Sequence, residues 1–224
     1  QNDDRSVTYT SVATAIDLAQ PGETISIVSD VIFSKDKTIP EGVTVILNSG
    51  CTMTAEGDLN VLGTLEIKEF AQVNVGGDLN VPGKVVNDGL INMADGTSVN
   101  ATGTIDTIAH NIKSNDMVIN GASVQMGERE IFTSFAKAVE LASGTANALV
   151  TIHGTVVETS DVALSEGMRV QVGFYNGTRI YAGDLTVPSV TMNKGSVITT
   201  ATDLAWDNVS SFTGTIKGFS GQTE

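Results

Sequence analysis

The sequence has few of the residues on which metal centres, redox sites and nucleic-acid contacts depend. Its 224 residues include one cysteine, two histidines and only 12 Lys or Arg against 26 Asp or Glu. A single cysteine excludes an intramolecular disulfide framework and a cysteine-based zinc or iron–sulfur site. The formal charge of −14 would repel phosphate backbones, so we expect no nucleic-acid partner.

Long apolar runs and aromatic residues are also scarce. No stretch of about 18 apolar residues is present, so the sequence predicts no transmembrane segment. Aromatic residues make up 5% of the chain, and with two histidines we expect no enzymatic activity. The negative charge is explained by solubility, and weak Ca²⁺ binding by surface carboxylates is the alternative.

Threonine, valine and glycine dominate instead, with 27, 26 and 23 residues. This composition favours β-strands joined by tight turns. Hydrophobic residues make up 41%, which indicates a globular chain. The first residue is Gln1 and no leader precedes it, as expected for a mature secreted protein in an extracellular or cell-surface location.

An internal duplication is visible by comparing the sequence with itself. Residues 10–19 match 133–142 at an offset of 123, and the Gly-Asp-Leu segment at 57–61 matches 183–187 at an offset of 126. Between them, Glu41-Gly42 matches Glu166-Gly167. The matches occur in order, so we predict two copies of one module, residues 1–125 and 126–224.

Each module begins with an amphipathic helix, predicted at about 10–20 and at about 132–143. Apolar residues fall at i, i+3, i+4 and i+7 in both, and Ser or Thr precedes each as an N-cap. Short alternating segments separated by glycine then predict strands. The predicted strands are 24–28, 43–47, 58–61, 64–67, 72–75, 78–81, 90–93, 104–106, 149–153, 169–172, 184–187, 196–199 and 214–216.

A shorter repeat sets the fold class. The heptapeptide at 57–63 recurs at 77–83, a period of 20 residues that fits one coil of a β-solenoid. We therefore predict an all-β chain with short capping helices, a right-handed β-helix-like solenoid built from a duplicated module. A sandwich or antiparallel barrel is the alternative.

The segment 11–25, a Ser-capped helix followed by Gln20-Pro21-Gly22-Glu23-Thr24-Ile25, resembles the start of pectin-lyase-like right-handed β-helices. The resemblance implies a helix that caps the first coil. The clustered Asp, Arg or Lys and the Gly-His-Gly motif of carbohydrate-active members are not recognisable here. In composition and layout the chain also resembles sheath and surface-layer proteins of methanogenic archaea.

Carboxylates at glycine turns are the candidate metal ligands. Asp58, Asp78 and Asp184 could form a Ca²⁺-binding ladder, with Asp88 and Asp95 in similar Asp-Gly contexts. The alternative is that these residues form turns and accept backbone hydrogen bonds. Asp58 and Asp78 are also the pair that a polysaccharide lyase or hydrolase would require, which is the least favoured function.

Cys51 and three asparagines are candidate modification sites. Cys51 follows a turn, where an exposed thiol could link subunits by a disulfide and a buried one would serve as a small apolar residue. Glycosylation sequons lie at Asn100, Asn176 and Asn208, and their number is what chance predicts.

The remaining candidates are histidines and aromatic residues. His110 and His153 have no recognisable catalytic partner at a characteristic spacing, so we expect neither to act in catalysis. Phe174, Tyr175 and Tyr181 are the nearest the sequence comes to an aromatic row for stacking sugars.

Solenoids have ends with unpaired strand edges, and edges without protection pair with other chains. Lysine, the usual protector, is scarce, and no C-terminal cap is evident in the sequence. We therefore expect a secreted, self-assembling structural protein of a cell envelope, sheath or extracellular filament whose partner is itself. A monomeric surface adhesin or carbohydrate-binding solenoid is the alternative.

Overall fold

The structure is a computed structural model that describes residues 11–175, 180–203, 208–209 and 211–217. Strands make up 52% of the chain, two short helices accompany them, and stacked parallel coils form a β-solenoid of about seven turns. The predicted fold class is confirmed. The first elements are α1 (Val12–Leu18), β1 (Thr24–Ile27), β2 (Val31–Phe33), β3 (Lys37–Ile39), β4 (Thr44–Leu47), β5 (Thr52–Ala55), β6 (Leu59–Val61), β7 (Thr64–Ile67), β8 (Gln72–Val75), β9 (Leu79–Asn80), β10 (Lys84–Asn87), β11 (Leu90–Met93), β12 (Ser98–Asn100), β13 (Thr104–Ile108) and β14 (Ile112–Lys113).

The chain divides into two compact units, unit 1 with residues 1–118 and 128–130 and unit 2 with residues 119–127 and 131–224. The predicted module boundary at 125/126 lies in the stretch where residues alternate between the units. The later elements are β15 (Val118–Met126), β16 (Arg129–Thr133), α2 (Phe135–Ala142), β17 (Leu149–Val157), β18 (Val162–Ala163), β19 (Arg169–Val172), β20 (Phe174–Tyr175), β21 (Ile180–Tyr181), β22 (Gly183–Thr191), β23 (Val197–Thr200), β24 (Thr202–Asp203), β25 (Asn208–Val209) and β26 (Ser211–Lys217).

Unit 1 is a solenoid with three parallel faces. Face A contains β1, β4, β7, β10 and β13, face B contains β2, β5, β8, β11 and β14, and face C contains β3, β6, β9 and β12. On face A the register joins Thr24, Thr44, Thr64, Lys84 and Thr104, so each coil takes 20 residues. The period predicted from the repeated heptapeptide is confirmed.

Alternation along these strands forms the core of unit 1. Val45, Leu65, Val85 and Ile105 stack in one inward column of face A and are at most 1% exposed. The intervening side chains point outward, as period-two alternation requires. Each added coil therefore buries another layer of Val, Leu and Ile.

Outward-facing asparagines form a ladder along face C. Asn80 Nδ2 donates to Asn60 Oδ1 at 3.0 Å, and Asn100 Nδ2 donates to Asn80 Oδ1 at 2.7 Å. A shorter ladder on face B joins Asn92 to Asn74 at 2.9 Å. Because identical side chains stack one coil apart, each amide satisfies its neighbour.

Helix α1 covers the first coil of unit 1. Ser11 caps it by accepting from the Thr14 amide, Ile16 is fully buried, and the helix packs against β1 and β3. Lys37 lies at an inward position of β3, 5% exposed, and its Nζ donates to the Ala13 carbonyl at 3.0 Å and to Asp17 Oδ1 at 2.5 Å. This lysine ties the helix to the coil beneath it.

Unit 2 repeats the arrangement with longer coils. In this unit β17, β19 and β23 pair in parallel, and Val150 aligns with Val170 after 20 residues and Val170 with Ile198 after 28. The second half of β17 pairs with β22, and β22 pairs with β26. Two antiparallel hairpins, β20–β21 and β24–β25, supply the extra length.

The first coil of unit 2 is covered by a strand and a helix. Strand β15 pairs antiparallel with β17 through residues 121–124. Helix α2, capped by Ser134, buries Phe135, Ala138, Val139 and Ala142 in the core of the unit. All four were predicted from their spacing. Both helices are confirmed and are a few residues shorter than predicted.

Candidate functional site

The last described coil of unit 2, β23 with β26, is called the open coil below. Strand β23 pairs with β19 and β26 pairs with β22, and no strand of the described residues lies on their outer edges. Val190 is fully buried, whereas its partner on the open coil, Ile216, is 56% exposed. Val172 is fully buried, and its partner Thr200 is exposed. Among the described residues, the core of unit 2 therefore ends at this coil with half-covered inward side chains.

In the part of the chain that the structure describes, no strand covers the backbone edge of the open coil. The amides of Val197 and Ala201 donate to the preceding coil, so by alternation those of Ile198 and Thr200 point away from that coil. Strand β23 has no charged residue, and β26 has one, Lys217 at its end. Natural edges are commonly protected by lysine, proline or a bulge, so an edge with a single terminal lysine is a surface suited to strand pairing.

Four rings in unit 2, Phe132, His153, Phe174 and Tyr181, form a continuous aromatic row. Phe132 and His153 meet edge to face with centroids 5.4 Å apart, and His153 and Phe174 do so at 5.0 Å. Phe174 and Tyr181 face each other across the first hairpin, 4.6 Å apart and nearly parallel. Tyr181 is 37% exposed and forms the outer end of the row. The side chain of Tyr175, also predicted for this row, lies outside the described residues.

His153 is held inside the row by a serine that the sequence did not point to. Its Nε2 lies 2.7 Å from Ser123 Oγ, and burial lowers the pKa of His153 to about 4. The ring is therefore neutral at pH 7. Thirty residues separate the two, and only the antiparallel pairing of β15 with β17 brings them together. Ser123 is 4% exposed, so its hydroxyl is not accessible as a nucleophile. The hydrogen bond joins the side chains of two paired strands, β15 and β17.

The candidate calcium ligands Asp58 and Asp78 hold the backbone of the next coil. Asp58 Oδ1 accepts from the Asp78 amide and Asp78 Oδ1 accepts from the Ser98 amide, both at 2.8 Å. One coil earlier, Asp36 accepts from the Asp58 amide at 3.0 Å. No group of three or more His, Cys, Asp or Glu side chains suited to a metal occurs among the described residues. These carboxylates thus act as turn acceptors, the alternative given above.

The other candidate carboxylates also have protein partners. Asp184, in unit 2, accepts from the Ser211 hydroxyl of the next coil at 2.7 Å. Asp88 forms an ion pair of 2.7 Å with Arg129, which also binds Asp106. Hydrogen bonds from Ser114 and Asn115 lower the pKa of Asp95.

The modification candidates differ in accessibility. Cys51 is a free thiol and 8% exposed, in agreement with the interpretation of Cys51 as a small buried apolar residue. Asn100 is half-buried and its amide donates within the face C ladder. Asn176 and the side chain of Asn208 lie outside the described residues. His110 is exposed at a turn with φ 67°.

Among the described residues no helix has the length and apolar character needed to cross a membrane. Comparison with protein-family models, curated proteins and solved structures gives no match. The open coil and the aromatic row are the two features of the fold that bear on function.

Proposed function

We propose that the chain is a secreted structural protein that assembles with copies of itself by pairing strands between subunits. The assembly belongs to a cell envelope, a sheath or an extracellular filament. The observation that supports this proposal is the open coil, where strand edges with only one charged residue, Lys217, coincide with half-covered apolar side chains. Pairing with another strand would satisfy the outward amides and cover Ile216 in one step. The proposal includes no enzymatic activity.

The test compares assembly of the chain with that of a variant blocked at the edge. Thr200→Pro removes an outward amide and leaves the bonds from Val197 and Ala201 to the preceding coil. Ser49→Pro is the matched control, because Ser49 is exposed at the second position of a turn that tolerates proline.

Light scattering at high protein concentration and electron microscopy measure the outcome. We expect large assemblies for the parent chain and for Ser49→Pro, and a folded smaller species for Thr200→Pro. A parent chain that stays monomeric at high concentration would contradict the proposal. Antibody detection in envelope fractions of the native source checks the location.

The aromatic row favours a second function, a surface adhesin that binds carbohydrate. Tyr181 is stacked on Phe174, which in turn rests on His153, so its ring is held in one orientation. A fixed aromatic face has little conformational entropy to lose when a sugar ring stacks on it.

A glycan array followed by titration of any retained oligosaccharide tests this function. Tyr181→Ala should abolish binding and Tyr181→Phe should retain it. Phe70→Ala, which removes a 74% exposed ring from unit 1, is the matched control and should have no effect. An array without retained glycans at high protein concentration would remove this candidate.

A further inference from the structure

The coil ends of the two units differ in how they are covered. In unit 1 the outer edge of the first coil lies under α1, with Ile16 fully buried and Lys37 bonded to two groups of the helix. In unit 2 the first coil pairs with β15 and packs against α2. The open coil has neither a helix nor a strand over it among the described residues.

Charge restricts where two copies can meet. Each copy has a formal charge of −14, and unit 1 carries sixteen acidic and six basic residues within 11–118 and 128–130. Two such surfaces repel each other. On the open coil, residues 195–202, 208–209 and 211–216 are uncharged and Lys217 is the single charged residue of β26, so copies can approach here with little opposition of like charges.

We infer that the partner of the open coil is the open coil of a second copy, related to the first by a two-fold axis. This inference rests on the proposed self-assembly. Head-to-tail pairing would require the outer edges of β1 and β3, and reaching them means displacing α1, exposing Ile16 and breaking both Lys37 bonds. Two-fold pairing of open coils displaces no helix or strand of the described residues. A two-fold axis perpendicular to the strands at the contact makes the paired strands antiparallel.

The symmetry of this contact limits what strand pairing alone can build. A contact in which the same surface serves both partners closes at two copies. The strand-paired dimer is then the repeating unit of the assembly. Growth beyond two copies requires a second contact in addition to the strand pairing, so an edge-blocking variant should form only the smaller species that the second contact alone can build.

Site-specific crosslinking distinguishes the two geometries. In a Cys51→Ala background, single cysteines are placed at outward positions, Thr199→Cys on β23 and, as a second variant, Thr213→Cys on β26. Thr38→Cys on β3 marks the capped coil and is the matched control. A short bis-maleimide is added to each variant alone and to 1:1 mixtures in which one partner carries a tag that alters its size.

We expect Thr199→Cys or Thr213→Cys to form covalent dimers alone and Thr38→Cys to form none, with no mixed dimer between Thr38→Cys and either edge variant. Mixed dimers without self-dimers of the edge variants would establish head-to-tail pairing and overturn the inference. Large assemblies that give neither self-dimers of the edge variants nor mixed dimers would also overturn the inference. Light scattering on the same samples before crosslinking separates these results from a failure of self-assembly, in which every variant and the parent remain monomeric.

Discussion

Units 1 and 2 each contain a capped helix followed by parallel strands, but their coils differ in length. In unit 1 the coil repeats every 20 residues on face A across five strands, and the Asn and Asp ladders run along its sides. In unit 2 the first coil step is 20 residues and the next is 28. The difference equals the eight residues of one hairpin, 174–181 or 202–209.

The two hairpins leave the solenoid at equivalent points. Val172 and Thr200 are register partners, and a hairpin begins within two residues after each. The inward alternation resumes in β22 with Leu185 and Val187, both at most 2% exposed. Insertions at a corner are thus tolerated because they leave the stacked strands in register. The first of these insertions supplies Phe174 and Tyr181, two of the four rings of the aromatic row in unit 2.

The largest expected effect concerns the two helices that cover coils. Phe135→Ala in α2 removes a fully buried ring from the unit 2 core and should lower the free energy of unfolding by about 4 kcal/mol. Lys37→Met keeps the buried stem and removes the bonds to α1, and because Asp17 is 64% exposed the loss should be only about 1 kcal/mol. Denaturant unfolding measures both. Equal losses would mean that α1 and α2 are held by similar forces.

A glycine column in unit 1 should produce the next largest effect. A Cβ at Gly83 would lie 2.2 Å from the Gly63 carbonyl oxygen, so Gly83→Ala must push adjacent coils apart and should cost about 3 kcal/mol. Gly50 is the control, since it has open space but φ of 75°, and Gly50→Ala should cost about 1 kcal/mol. Thermal unfolding compares them. A tolerated Gly83→Ala would show that coil spacing in unit 1 is less strict than the register indicates.

Acid should weaken unit 2 through His153. Its pKa is about 4 in the folded chain and about 6.5 when unfolded, so the unfolded chain binds the extra proton between these values. The stabilisation is complete above pH 6.5 and is lost as the pH falls towards 4, by about 2 kcal/mol between pH 7 and 5. Unfolding at both pH values in the parent and in His153→Gln measures this. An unchanged pH dependence in the variant would assign the effect to other groups.

The smallest effect is expected in the face C ladder. Asn80 both donates to Asn60 and accepts from Asn100, so Asn80→Ala removes two hydrogen bonds of the ladder at once. The loss should be about 1 kcal/mol because water can replace part of the hydrogen bonding. Asn115→Ala, which removes one exposed 3.4 Å contact with Asp95, is the control and should be nearly neutral. Equal unfolding curves for Asn80→Ala and the parent would mean that the ladder adds no stability.

Local patterns were sufficient to predict the solenoid. The spacing of apolar residues in α1 and α2 and the alternation in strands such as β4 and β7 are set by residues close in sequence. Strand β3 was missed because its inward Lys37 looks like a surface residue until α1 supplies its partners. Ser123 was missed as the partner of His153 because antiparallel pairing over thirty residues leaves no local signal.

For the candidate sites, too, the sequence predicted what depends on neighbouring residues and missed what depends on contacts between coils. That Asp58 could serve as a turn acceptor followed from its Gly-Asp context, whereas its acceptor role towards the Asp78 amide required the coil register. The open coil was anticipated only as an uncapped edge, and its half-covered Ile216 depends on the stacking of β26 against β22. Contacts between neighbouring coils are the information that a single sequence does not display.

The constant 20-residue step between the strands of face A makes the length of unit 1 adjustable in whole coils. Gly63 and Gly83 occupy the same corner one coil apart, and the strands that follow them, β7 and β10, share one register. Removing residues 64–83 would join Gly63 to Lys84 and shorten the stack by one layer of about 4.8 Å, with α1 still in place above β1 and β3. Gene duplication or deletion of one such segment can therefore alter the reach of this unit while its chemistry stays the same.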